Sequence, residues 1–151
     1  MKRGEQLWNG CMVPVPLQGR PLVLTRKSFE YAIIRVVPRV EREEFINAGV
    51  IVFSLECKYL GARLEIEERR LLALWPGADF ELIRDHLKAM ADVCVGLPTA
   101  GPIALLPLRE RFHWLVAPRS TMIQVSPVHA GICKSTVGLV ESLFAKFVAV
   151  S

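Results

Sequence analysis

The run FINAGVIVFSLE, residues 45–56, restricts the possible folds of this chain more than any other part of the sequence. Its apolar residues fall on both faces of an extended segment, which is typical of a central strand that is covered on both sides. Gly49 lies inside the run and predicts a β-bulge or a close approach of another backbone segment. We therefore expect this run to form an inner strand of a sheet.

Two further strands flank this run. Residues 29–37, FEYAIIRVV, are rich in aromatic and β-branched side chains and stop at Pro38, which has no N–H to donate to a ladder. Residues 59–66, YLGARLEI, alternate as a half-buried strand does. Because the connections are short, the three strands are predicted to form an antiparallel meander. In the first strand, alternation places on one face Tyr31, Ile33 and Arg35, and on the other Ala32, Ile34 and Val36.

Helical patterns follow the meander. Residues 67–77 predict a short helix with an acidic start and an end set by Pro76 and Gly77. Asp79 is placed to cap a longer amphipathic helix. The apolar face of that helix consists of Ile83, Leu87, Met90, Ala91 and Cys94. Both helices are expected to cover the sheet.

Residues 96–107 contain glycines and prolines among apolar residues and predict a packed connector. Pro107 suits the first turn of a third helix, which ends before Pro118. The apolar face of the third helix consists of Leu108, Phe112, Leu115 and Val116, with Arg109, Glu110 and His113 opposite.

The stretch RSTMIQVSPVHAGI, residues 119–132, predicts a fourth strand followed by a turn that contains His129 and bends at Gly131. A final helix is predicted within residues 135–150. The fold class is therefore α+β, with a small antiparallel or mixed sheet. That sheet is the three-stranded meander plus a later fourth strand, covered by three to four helices.

The length of 151 residues fits one domain. We expect residues 1–27 to be an N-terminal extension, with Met12 as an alternative start, and residues 28–151 to be a single α+β domain. Polar residues and prolines interrupt the apolar part of the extension, so it does not predict a signal peptide, and no run is long enough for a membrane span. The four cysteines are widely spaced, which favours a reducing cytoplasm over a disulfide framework.

Composition bears on partners. The chain is 52% hydrophobic, more than the ~45–50% of typical domains, so a protein partner or a homo-oligomer is a hypothesis of equal standing with a monomer. The net charge of +4 is modest, and much of it comes from the N-terminal extension. Nucleic-acid binding is therefore only weakly supported, because it usually needs a concentrated basic face.

Polar side chains concentrate in residues 119–132. A guanidinium, hydroxyls and an imidazole on one surface suit a phosphate or a carboxylate. The other interpretation is that these side chains tie down their own turn. The candidates are Arg119, Ser120, Gln124, Ser126 and His129.

The meander adds four polar candidates, namely Arg35, Glu44, Asn47 and Arg63. If the strand faces coincide, Arg35 and Arg63 form an arginine-lined surface with Gln124 and Ser126. The competing hypothesis is an internal salt bridge, in which Glu44 or Glu65 pairs with an arginine.

Signatures of known chemistry are missing from the sequence. There is no phosphate-binding glycine loop, no HExxH and no nucleophile elbow, and the three histidines are too scattered to predict a metal site. We therefore expect no cofactor and no metal, and whether the chain is an enzyme stays open. Trp75 and Trp114 are interpreted as core anchors rather than stacking platforms.

Several runs together resemble a bacterial family described as domain of unknown function 3037. They are YAIIRVVP, REEFINAGVIVF, YLGARL, LLALWPGAD and ERFHWLVAPRSTMIQVSPVHAG, and the likeness spans residues 29–149. The positions that match the family pattern are Arg35, Pro38, Glu44, Asn47, Gly49, Arg119, Ser120, Gln124, Ser126, Pro127, His129 and Gly131.

The resemblance implies a small cytoplasmic protein whose gene often lies beside genes for HipA-like serine/threonine kinases. With the high hydrophobic content, it favours a non-enzymatic accessory module that binds a protein partner. The alternative is an anion-binding domain that holds a nucleotide or nucleic acid on an Arg/Ser/His surface.

Overall fold

The computed structural model describes the backbone of residues 5–8 and 11–14, and residues 26–150 in full. Most of the predicted extension, residues 1–27, therefore lies outside the described residues, whereas Met12, the alternative start, lies in the segment 11–14. The described strands are β1 (Glu5–Trp8), β2 (Cys11–Pro14), β3 (Lys27–Val36), β4 (Ile46–Ser54), β5 (Tyr59–Leu64), β6 (Ile123–Val125) and β7 (His129–Cys133). The described α-helices are α1 (Glu68–Leu74), α2 (Phe80–Val95), α3 (Leu108–Leu115) and α4 (Leu139–Phe147).

The main sheet has the order β5-β4-β3-β6, and β7 also pairs with β3. All of its pairings are antiparallel. The predicted meander is confirmed as β3-β4-β5, with β4 at its centre. Strands β1 and β2 form a separate antiparallel pair. The α+β class predicted from the sequence is therefore confirmed.

Residues 119–133 differ from the sequence prediction, which was a single fourth strand followed by a turn that contains His129. Two strands pair with β3 instead: β6 with residues 34–36 and β7 with residues 27–31. Pro127 separates them, because it has no N–H and cannot continue a ladder. His129 accordingly begins β7 rather than lying in a turn, and Gly131 lies inside that strand.

Gly49 lies at the predicted bulge. Ile34 pairs with Gly49 and Arg35 with Asn47, so the register shifts there and Ala48 is left over. A Cβ at position 49 would lie 2.6 Å from the carbonyl oxygen of Arg63. Both sequence expectations for this glycine, a bulge and a close backbone approach, therefore hold.

Helices cover the sheet on both faces. On one, here called the α2 face, Ile51 and Phe53 of β4 pack in a core with residues of α1, α2 and α3. On the other, the α4 face, Val50 and Val52 pack against α4. The central strand is thus buried on both sides, as its sequence predicts.

The helix ends follow local chemistry. Asp79 caps α2 by accepting a hydrogen bond from the N–H of Leu82 at 3.0 Å, and Gly96 ends the helix with a φ of 83°. The connector that follows forms two short 3-10 turns. The guanidinium of Arg111 holds it in place by donating to the carbonyl of Leu106 at 3.0 Å. Within the described part of the chain, no helix has the length and apolar character that a membrane crossing requires.

Candidate functional site

A cavity of about 610 Å³ opens on the α2 face between α2, the 3-10 turn at residues 98–100, the end of α3 and the approach to β6. We call it the Trp114–Arg119 cleft. Its lining residues are His86, Ala89, Met90, Asp92, Val93, Thr99, Ala100, Trp114, Arg119, Thr121, Met122 and Ile123. The volume falls in the range of about 300–1,000 Å³ that ligand sites occupy.

The helical repeat of α2 builds one wall of this cleft. Met90 and Val93 are buried and form the floor together with Ile123. Ala89 and His86 lie nearer the solvent on the same side of the helix, because residues three or four apart share a face. The cleft is therefore apolar at its base and polar only at its rim.

The opposite wall carries Trp114 with Arg119 stacked on it, the guanidinium carbon lying 4.7 Å from the ring centroid. Arg119 also donates to the carbonyls of Trp114 at 2.8 Å and Leu115 at 3.1 Å. These carbonyls belong to the last turn of α3, where a cation is stabilised by the helix dipole. Trp114 is 41% exposed, so the core-anchor interpretation is wrong for this residue.

The charge of Arg119 is not compensated. In residues 26–150 no carboxylate lies within salt-bridge distance of it, and burial lowers its pKa. Asp92, across the cleft, is paired with Lys88 at 3.4 Å. A partly desolvated cation at the rim of an apolar cavity favours an anionic ligand group.

Other polar side chains in residues 119–132 tie down their own segment. The hydroxyl of Thr121 donates to the carbonyl of Ile123 at 2.9 Å, and the amide of Gln124 donates to the carbonyl of Thr121 at 3.0 Å. Ser120 is exposed and lies outside the cleft lining. Of the polar candidates in this stretch, only Arg119 lines the cleft.

Ser126 is 4% exposed and bridges two strand segments. Its Oγ accepts from the N–H of Ile33 at 2.8 Å, and its hydroxyl donates to the carbonyl of Pro127 at 2.9 Å. These hydrogen bonds fix the segment that connects β6 to β7. The structure therefore gives Ser126 a bracing position rather than an exposed one.

Replacing Ser126 with alanine is expected to lower the free energy of unfolding by about 1–3 kcal/mol, because the N–H of Ile33 is left without a partner. Chemical denaturation of the purified chain measures this loss. His129→Ala is the matched control, since His129 is exposed on the adjacent strand. A loss at Ser126 no larger than the loss at His129 would contradict the bracing position.

Three predicted site residues line up on the α4 face. Arg35 on β3 pairs in register with Asn47 on one side and Gln124 on the other. The guanidinium of Arg35 lies 4.4 Å from the ring centroid of Phe45. Asn47 donates to the carbonyl of Phe147 at 3.1 Å and so fixes the end of α4. Arg35 Nε and Asn47 Oδ1 are buried and have no hydrogen-bond partner within the described residues.

Arg63 does not extend this row. It lies 4.0 Å from the ring of Phe144 and pairs with Glu141 and, at 3.0 Å, with Glu65, so it braces α4. The salt-bridge hypothesis therefore holds for Arg63 with Glu65.

The remaining candidates lie apart from one another. The carboxylate of Glu44 forms a salt bridge with Arg42. His129 lies beside Tyr31 with ring centroids 5.2 Å apart. Ser126 is buried, and Arg119 lies on the opposite side of the sheet from Arg35. The structure thus places the predicted Arg/Ser/His set in several separate positions.

Of the cleft lining, sequence reasoning identified only Arg119 as a site candidate. The polar or aromatic lining residues that it missed are His86, Asp92, Thr99, Trp114 and Thr121. One sequence feature could have indicated part of the cleft: Trp114 and Arg119 are spaced across a helix end so that the guanidinium can stack on the indole. That spacing does not show that α2 forms the opposite wall. No three histidine, cysteine or acidic side chains of the described segments lie close enough together to hold a metal ion.

Comparison with known proteins identifies a matching family. No curated protein and no solved structure shows significant similarity to the chain. The model of a family described as "Protein of unknown function (DUF3037)" matches residues 31–148. That range contains the whole Trp114–Arg119 cleft and most of the main sheet. On this match, the chain belongs to the DUF3037 family.

Proposed function

We propose that this chain is a non-enzymatic accessory module that binds a segment of a protein partner in the Trp114–Arg119 cleft. One observation carries the proposal: an open apolar cavity has at its rim an arginine that is held in place and has no carboxylate partner among residues 26–150. Such a cavity takes an apolar side chain, and the arginine gives it polar specificity.

The lining suits a peptide. Met90 and Met122 are flexible, polarisable side chains that adapt to different apolar groups. Trp114 supplies a half-exposed aromatic face, and such residues commonly dominate binding energy at interfaces. Because the cavity is open on one side, a backbone can lie along the rim while one side chain enters.

The family resemblance supplies the first partner to test, a HipA-like serine/threonine kinase. A second copy of this chain is the other protein occupant to consider. The nucleotide or nucleic-acid alternative has less support, because Arg35, Arg63, Ser126 and His129 do not converge with Arg119 on one surface. The cleft is the better candidate since its lining comes from three chain segments that meet at one place.

Filling the cleft is expected to abolish partner binding. Ala89 is exposed on α2 and lines the cavity, so Ala89→Trp places an indole inside it without disturbing the buried core. Capture of the partner from nuclease-treated lysate, quantified by mass spectrometry, should fall at least about tenfold, equivalent to roughly 1.4 kcal/mol of binding free energy.

The matched control is Ala145→Trp, which adds the same side chain at an exposed alanine of α4. The control should capture the partner as well as the unmodified chain does. Thermal unfolding of both variants checks that they fold. A partner that binds equally to all three proteins would place the interface elsewhere and refute the proposal.

A further inference from the structure

We infer that the segment bound in the cleft is acidic, with an apolar anchor inside the cavity and a neighbouring carboxylate paired with Arg119. This inference rests on the proposed function and names the chemistry of the partner. It is carried by the fixed position of the guanidinium, by its free donors and by the charges around the cleft.

The guanidinium of Arg119 is oriented before any ligand binds. Stacking on Trp114 fixes its plane, and the carbonyls of Trp114 and Leu115 each accept one of its N–H groups. A guanidinium has five N–H donors, so three remain. Arg119 is only partly buried and lines the cleft, so the donors that these carbonyls leave unused lie beside a space that a carboxylate can enter.

The floor of the cleft lies beside this cation. Met90, Val93 and Ile123 are each less than a tenth exposed, and Met122 closes the same wall from which Arg119 projects. A ligand that fills this space with an apolar side chain places its adjacent groups near the rim. A carboxylate at the rim can pair with Arg119 and balance its positive charge. Because Arg119 is partly desolvated, the charge-assisted hydrogen bonds between the two groups are strong.

The other charges of the cleft favour a carboxylate over a phosphate. Asp92 lies in the same lining, and its partner Lys88 is mostly exposed. Arg119 is the one arginine or lysine in the described lining, so a carboxylate balances its charge, whereas a dianionic phosphate leaves a second negative charge unbalanced near Asp92.

A peptide array tests the inference. Acetylated, amidated twelve-residue peptides carry one central Leu, Met, Phe or Trp, with Glu, Gln or phosphoserine at each of the four flanking positions and Ala or Ser elsewhere. We expect at least one Glu peptide to bind at least about tenfold more tightly than its Gln counterpart. Arg119→Gln should remove this preference, whereas Arg109→Gln, at an exposed arginine of α3 outside the cleft, should keep it.

A second pair of variants separates charge from folding. Ser120→Lys and Ser120→Glu add opposite charges next to Arg119 without filling the cleft, because Ser120 is exposed and outside the lining. The Glu-peptide affinity should be higher in the first variant than in the second. Equal binding of Glu and Gln peptides, including no binding of either, overturns the inference, and so does a preference for phosphoserine. The capture experiment with Ala89→Trp is independent of these outcomes, so the proposed function can stand while the inference fails.

Discussion

Phe112→Ala is expected to lower the free energy of unfolding by about 3–5 kcal/mol, the usual cost of emptying a large aromatic site in a core. Phe112 is 1% exposed and stacks on Phe53 of β4 with ring centroids 5.0 Å apart. It fixes α3 against the sheet, two residues before Trp114. The variant should therefore lose both stability and the far wall of the cleft.

Urea unfolding measures the loss of stability. The matched control is Phe45→Ala, because Phe45 is 47% exposed and its main described contact is with the guanidinium of Arg35. We expect this control to lose no more than about 1 kcal/mol. Equal losses at the two positions would show that α3 is not anchored through Phe112.

Gly49→Ala is expected to lower the free energy of unfolding by about 3 kcal/mol or more, at the upper end of the overpacking range. The new Cβ would lie 2.3 Å from Leu64 Cδ2, 2.6 Å from the Arg63 carbonyl oxygen and 2.9 Å from Leu64 Cα. Two of these atoms are backbone, so relief requires β4 and β5 to separate. The bulge that sets the register of Arg35 and Asn47 would be disturbed as well.

Gly61→Ala is the control for this prediction, since it adds the same methyl group on the neighbouring strand. There the Cβ would meet atoms of the Tyr59 side chain, the nearest being the hydroxyl oxygen at 2.0 Å. Tyr59 is half-buried, so its ring can swing outward. Thermal and urea unfolding should show a clearly smaller loss than at Gly49, and the reverse order would contradict the bulge argument.

Much of the fold follows from local patterns. The alternation in residues 29–37 correctly separates Ile34 and Val36, which face α2, from Tyr31 and Arg35, which do not. Asp79 and the apolar repeat of α2 define a helix because a cap and a period of 3.6 residues are local properties. Gly49 was informative for the same reason: a glycine inside an apolar strand has few other uses.

The split of the predicted fourth strand into β6 and β7 could not be predicted from sequence patterns. Ile123 and Cys133 both belong to strands that pair with β3, yet Pro127 stands between them. The proline indicates that strand pairing is interrupted there. Whether the chain then leaves the sheet or pairs with β3 again depends on tertiary packing. His129 was therefore assigned to a turn although it begins a strand.

The cleft was beyond sequence reasoning for a related reason. Its walls come from α2, the connector and residues 114–123, and their meeting is set by packing rather than by spacing. Trp114 lies next to the buried Leu115 on a short helix, and only the position of α2 decides which side stays open. Arg119 was identified as polar, but its stacking partner was not.

Site-specific photocrosslinking shows whether a protein partner occupies the Trp114–Arg119 cleft. The photoreactive amino acid p-benzoylphenylalanine is placed at Ser120, which is exposed next to Arg119 and lies outside the cleft lining, or at Ala145 on α4, and the tagged chain is irradiated inside its host. We expect one discrete covalent adduct at position 120, identified by mass spectrometry as the captured partner, and none at position 145. An adduct to that partner only at position 145, or equally at both positions, would show that the partner binds elsewhere.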